Sequence, residues 1–126
     1  MGSTINPGEQ LVLALYVRDI KKSGSFYRAL GFQIARDEET FMELRWEDAL
    51  LFIVEMEDAP RFPVQPVGNI RILVSDVDEH WNRCMEIGAE ILRPIETRSY
   101  GLRDFIIAGP DGLSIRFATL LKKGAG

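Results

Sequence analysis

One cysteine and one histidine in 126 residues remove several kinds of chemistry at the outset. Cys84 has no partner for an intramolecular disulfide. A multi-histidine metal centre cannot be built from His80 alone, and its place beside Trp81 in a helical stretch reads as a helix-flanking residue rather than a base. A basic excess is missing too: Lys and Arg number 15 against 19 Asp and Glu, for a net charge of −4. Nonspecific nucleic-acid binding needs a basic face to replace phosphate counterions, so no nucleic-acid partner is expected. No apolar run approaches the roughly 18 residues that cross a bilayer, so no membrane partner is expected either. No Gly-rich phosphate loop precedes a helix, and no paired-carboxylate motif stands out. The start of the chain lacks the basic and apolar regions of a secretory signal, and the expected location is the cytoplasm.

What is present is a repeat. Val17-x-Asp19-Ile20, Gly31 and Ile34 reappear as Val74-x-Asp76-Val77, Gly88 and Ile91, each 57 positions on (19 to 76, 31 to 88). Each copy reads as strand, Asp, helix, Gly, strand. Two equivalent modules are an architectural statement, because such units can pair around a shared concave surface.

Residues 11–17 are apolar and β-leaning and are expected as a strand. Asp19 then caps a helix over 20–30, with Ile20, Phe26, Tyr27 and Leu30 as its inward stripe and Gly31 as its stop. Strands are expected at 32–36, 41–46 and 49–55, separated by the polar Asp37-Glu38-Glu39 and the tight Glu47-Asp48. Residues 56–68 carry Pro60, Pro63 and Pro66 and read as a proline-rich linker. The second module repeats the plan: a strand at 69–74, then a helix from Asp76, with Glu79 completing a capping box, to Gly88. Strands follow at 89–92, 102–108 and 113–120, the last two joined by Gly109-Pro110-Asp111-Gly112. The expected fold is α+β: two βαβββ modules, 11–55 and 69–120, forming an eight-stranded cupped sheet. Residues 1–10 and 121–126 are expected as tails.

The segments Val17-Arg18-Asp19-Ile20, Phe26-Tyr27-Arg28-Ala29-Leu30-Gly31-Phe32, Val74-Ser75-Asp76-Val77, Ile87-Gly88-Ala89-Glu90-Ile91, Tyr100-Gly101-Leu102-Arg103-Asp104-Phe105 and Gly109-Pro110-Asp111-Gly112 together resemble the vicinal oxygen chelate superfamily. That superfamily groups glyoxalase I, extradiol dioxygenases, fosfomycin resistance enzymes and bleomycin resistance proteins. The resemblance runs from about residue 11 to about residue 119. It implies that metal-dependent members carry His, Gln or Glu near the start of the first strand and near the end of the last strand of each module. Here those places fall on Val12, Asn69, Phe52 and Arg116. Val and Phe offer no donor, Asn is a poor ligand alone, and Arg brings a fixed positive charge. The resemblance therefore points to the metal-free, bleomycin-resistance-like branch: no metal, no cofactor, a homodimer, and a groove that sequesters a small molecule. Gly109 departs from that branch, which usually has Asp there.

Strand alternation names the side chains that could meet such a ligand. Asn69, Arg71, Ser114 and Arg116 are expected on the face turned away from the second helix, where two guanidiniums favour a carboxylate, a phosphate or a stacked ring. The alternative is that these arginines pair internally with Glu43, Glu55 or Asp104. Tyr16, Trp46, Phe52, Tyr100 and Phe105 are expected to supply an aromatic wall, or else to fill the core or a dimer interface. An aromatic or anionic ligand fits this set better than a cationic antibiotic, which two inward arginines would repel. No catalytic residue is assigned. The enzymatic alternative is a lyase, isomerase or dioxygenase-like protein with a degenerate metal site, in which Arg71 or Arg116 stabilises an oxyanion.

Overall fold

The computed structural model of the chain describes residues 5–59 and 66–121. Two compact units divide it, residues 1–60 and 61–126, and each is a complete βαβββ assembly around its own core. The first contains a short helix α1 (Pro7–Gln10), then β1 (Leu13–Val17), α2 (Ile20–Leu30), β2 (Gln33–Glu38), β3 (Phe41–Trp46) and β4 (Ala49–Glu55). The second contains β5 (Asn69–Leu73), α3 (Val77–Glu86), β6 (Ile91–Thr97), β7 (Leu102–Ala108) and β8 (Ser114–Leu120). The eight strands are hydrogen-bonded as two sheets of four, ordered β1-β4-β3-β2 and β5-β8-β7-β6. In both, the first strand lies parallel to the last, and the remaining neighbours are antiparallel.

The helix boundaries follow from matching chemistry in the two copies. Asp19 accepts from the Lys22 amide (3.1 Å) and Asp76 from the Glu79 amide (3.3 Å), each satisfying an orphan donor of the first turn. Gly31 and Gly88 adopt positive φ, 126° and 71°, at the two helix ends. The first helical amide of each module is held from across the fold. Ile20 N–H donates to the Glu55 carboxylate (3.0 Å), and Val77 N–H donates to the Thr119 hydroxyl (3.0 Å). That hydroxyl in turn donates to the Val74 carbonyl (2.9 Å), tying the start of α3 to the last and first strands of its sheet.

One face of each sheet is covered by its helix. In the first unit α2 buries Ile20, Tyr27 and Leu30 against Met42, Leu44, Leu51 and Ile53. Rings continue the packing: Tyr27 meets Phe32 edge-on at 5.4 Å, and Phe32 meets Trp46 at 5.2 Å. Gly24 lets α2 approach β3, since a Cβ there would stand 2.7 Å from the Met42 sulfur. In the second unit Val77 and Cys84 of α3 cover Ile72, Phe105, Ile107, Ile115 and Phe117. Each large side chain so buried contributes about 1.5–3 kcal/mol.

Two local features differ from the expectation. Part of the N-terminal tail forms α1, capped by Asn6 and opened by Pro7. The strand expected at 89–92 runs from Ile91 to Thr97, straight through Pro94. β6 pairs only with β7 and its register shifts between Arg93 and Glu96, so an edge strand with a bulge absorbs the missing N–H. Of the proline-rich linker, Pro66 lies in exposed irregular chain, whereas Pro60 and Pro63 fall outside the described residues, as do residues 1–4 and 122–126. Among the described residues no helix is long and apolar enough to cross a membrane.

Candidate functional site

The face of the second sheet turned away from α3 carries most of the polar residues singled out from the sequence. Ile115 and Phe117 of β8 are fully buried on the helix side, and alternation puts Ser114, Arg116 and Ala118 on the other. Parallel pairing aligns Asn69 with Ser114 and Arg71 with Arg116, so these four residues share one face. Antiparallel pairing adds Asp104 opposite Ala118 and Ile106 opposite Arg116.

Asp104 organises this face. Its side chain is 0% exposed and accepts from Arg98 Nε on one oxygen (2.7 Å) and from Arg116 Nε and Nη2 on the other (2.9 and 2.7 Å). Burial on its own raises the Asp104 carboxyl, but the hydrogen bonds and charges of Arg98 and Arg116 outweigh it and hold the group below its ordinary value. Arg98 is braced further by Glu96 and by the Pro94 carbonyl (2.9 Å). Arg116 is thus internally paired, and the partner is one of the three carboxylates weighed from the sequence. The other two are engaged elsewhere: Glu43 with Arg45 (3.0 Å) and Glu55 with the Ile20 amide. Arg71 is exposed and has no ion-pair partner among the described residues. Asn69 is exposed, while Ser114 is buried and donates its hydroxyl to the Gly68 carbonyl (3.2 Å).

The aromatic residues are distributed differently from the expected single wall. Phe105 faces α3: it is fully buried, stacked on Phe117 (5.3 Å) and met edge-on by Trp81 (5.2 Å). Trp46 shares the parity of Met42 and Leu44 and packs on Phe32, so it too lies on the helix side of its sheet. Both belong to cores because the strand pleat turns them there. Tyr16 and Phe52 do share the open face of the first sheet, where Ala14 pairs with Phe52 and Tyr16 with Val54. Tyr16 is 57% exposed, and Phe52 touches Phe41 edge-on at 5.1 Å. Tyr100 is exposed in the turn before β7, its hydroxyl 3.4 Å from Arg93 Nη2.

Arg98, Arg93 and Phe41 escaped the sequence reading. Arg93 pairs with Ile106 and so joins the arginine-bearing face. The alternation of β7, with Asp104 and Ile106 opposed to Phe105 and Ile107, was the one available signal. Arg98 lies outside any strand, and nothing in its neighbours announces its reach to Asp104.

The donor set does not suit a divalent cation. Val12 and Phe52 have no coordinating atom, and the Arg116 guanidinium is already bound to Asp104. Among the described residues no group of three or more His, Cys, Asp and Glu side chains comes together to hold a metal ion. His80 and Cys84 lie on the helix side. His80 stacks on Phe117 (5.2 Å, 10° between planes), and burial lowers its proton affinity; burial pushes the Cys84 thiol up to about 11. Neither is presented as a base or a nucleophile.

Solved structures with the same architecture are numerous. A glyoxalase/bleomycin resistance protein/dioxygenase from Nocardioides superposes with a TM-score of 0.76 at 18% identity, over 98% of this chain and 91% of that one. A bleomycin resistance determinant encoded on the transposon Tn5 gives 0.73 at 22% identity, over 89% and 98%. A bleomycin-binding protein complexed with bleomycin gives 0.71 at 22%, over 88% and 98%. At these identities the likeness is one of fold. No curated protein matches the sequence. The family description "Glyoxalase/Bleomycin resistance protein/Dioxygenase superfamily" matches residues 10–117, nearly all of the chain. The chain therefore belongs to the glyoxalase/bleomycin resistance protein/dioxygenase superfamily.

Proposed function

We propose that this protein binds a small organic molecule without a metal ion, on the open faces of its sheets, and does not transform it. The observation that carries this reading is the Arg116–Asp104 pair. Where metal-using relatives are expected to place a ligand, this chain has a guanidinium fixed by two hydrogen bonds to a buried carboxylate. A fixed cation there opposes a divalent ion and favours contacts that arginine and aromatic rings make with organic groups. The proposed contacts are Asn69, Arg71, Arg116 and Tyr100 in the second unit and, separately, Tyr16 and Phe52 on the open face of the first. Trp46, Phe105 and Ser114, being turned to the core or internally bonded, act as supports.

The enzymatic alternative has less to draw on. An oxyanion role for Arg116 competes with Asp104 for the same donors, and the single histidine stacks on the opposite side of the sheet. The proposal extends to a cytoplasmic homodimer. The exposed Leu13 and Tyr16 on β1, and Leu73 on β5, offer apolar surface on edge strands for a second copy. A bleomycin-binding protein shares the fold, and a sequestering role in antibiotic resistance is the corresponding biological proposal.

A thermal-shift and calorimetric panel of aromatic compounds tests the binding reading. At least one class should raise the melting temperature, by the same amount with and without EDTA. Binding abolished by the chelator and restored by zinc, nickel, iron or manganese would overturn it.

A further inference from the structure

Four residues, one from each strand of the second sheet, fall in a single row. Arg93 of β6 pairs with Ile106 of β7, Ile106 with Arg116 of β8, and Arg116 with Arg71 of β5. All four therefore lie on the face turned away from α3. Strands stand about 4.8 Å apart, so the row spans about 14 Å from Arg93 to Arg71.

The three arginines are not equivalent. Arg116 is held by Asp104 through Nε and Nη2. Neither Arg71 nor Arg93 has a carboxylate partner among the described residues; the one polar contact of Arg93 is the long approach to the Tyr100 hydroxyl (3.4 Å). In the next row, Glu96, Asp104, Ala118 and Leu73, both acids are engaged with Arg98, and Asp104 with Arg116 as well. Four guanidiniums thus face two carboxylates, a local positive excess on a chain whose net charge is −4. Between the charges the surface is apolar: Ile106 separates Arg93 from Arg116, and Leu73 and Ala118 lie beside Arg71 and Arg116.

We propose that the Arg93–Ile106–Arg116–Arg71 row binds a planar organic anion, an aromatic carboxylate, with the ring over Ile106 and the carboxylate taken by Arg71 or Arg93. This rests on the small-molecule-binding reading above and names the ligand class. An immobilised Arg116 presents its remaining edge without loss of rotamer freedom, while Arg71 and Arg93, with no carboxylate partner among the described residues, supply forked donors matched to a carboxylate. A cationic ligand is disfavoured by the same charges.

The test compares 1-naphthoate with its neutral isostere 1-naphthamide, the cation 1-naphthylmethylamine and inorganic phosphate, by isothermal calorimetry on the full chain. Naphthoate is expected to bind about 10-fold more tightly than the amide, and the amine and phosphate more weakly than either. In the Arg71→Met, Arg93→Met double variant that ratio falls to near one. Arg28→Met with Arg83→Met, two exposed charges on α2 and α3, leaves the ratio intact and controls for net charge. Equal binding of naphthoate and amide, tighter binding of the amine, or a ratio that survives in the double variant overturns the anion site alone, since small-molecule binding then still stands. Phosphate binding without any aromatic compound overturns the aromatic class. Silence from every probe overturns both readings.

Discussion

Arg116 and Asp104 stand two strand positions apart in register on neighbouring strands, and the guanidinium reaches diagonally to put both Nε and Nη2 on one carboxylate oxygen. Asp104 Oδ1 is taken by Arg98, so a fully buried carboxylate is neutralised from two directions. Its removal leaves Arg116 without a carboxylate partner, beside an Arg98 that keeps only Glu96.

Asp104→Asn is therefore expected to cost about 3 kcal/mol, the lower end of what breaking a buried pair costs, because the arginines retain some solvent contact. Urea denaturation measures it. Acid should expose the same interaction. The folded-state affinity for the proton is depressed, so this contribution is complete above the ordinary aspartate value and is lost as pH falls through the folded one. The wild-type and Asp104→Asn stability curves should converge at low pH.

His80 also loses stability toward acid, for a different reason. Burial against Phe117 disfavours the imidazolium, with Glu79 and Asp76 partly restoring it and Arg83 opposing it. The unfolded chain then takes up the proton first, so stability is complete above about 6.5 and declines as pH falls below it. His80→Phe, which keeps the ring stack, should flatten the melting-temperature profile between pH 7.5 and 5.5.

Cys84 is fully buried under α3, with its thiol pushed up to about 11 by desolvation. A thiol reagent at pH 8 should leave the native protein unlabelled and react with one equivalent after denaturation. Rapid labelling of the folded chain would contradict the packing of α3 on its sheet.

Thr119→Val removes a hydroxyl that accepts from Val77 N–H and donates to the Val74 carbonyl. Two backbone groups lose their partner while the shape is preserved, for an expected cost of about 1–2 kcal/mol by denaturation. Thr119→Ser should recover most of it.

Much of this was legible along the chain. Asp19 and Asp76 announce helix starts, and Gly31 and Gly88 announce their ends. Both signals are local, since a cap satisfies amides within its own first turn and a positive φ is a property of one residue. β6 runs past Leu92 and through Pro94, and only the sheet order shows that it is an edge where that proline is tolerated. For Trp46 and Phe105 the sequence leaves ligand wall and core both open, and the fold turns them to the core. Aromatic character is visible in a sequence, but the face of a strand depends on a count that one residue of slippage inverts.

The sequence by itself determined that there are two βαβββ modules and where their helices begin and stop, because both depend on residue identity and short-range geometry. Tertiary structure decided which charges meet. The order β5-β8-β7-β6 sets residues 71, 93, 106 and 116 in one line and brings Arg98 back onto Asp104. Those neighbours are made by hydrogen-bond register between strands far apart in the chain, and no local pattern encodes that register.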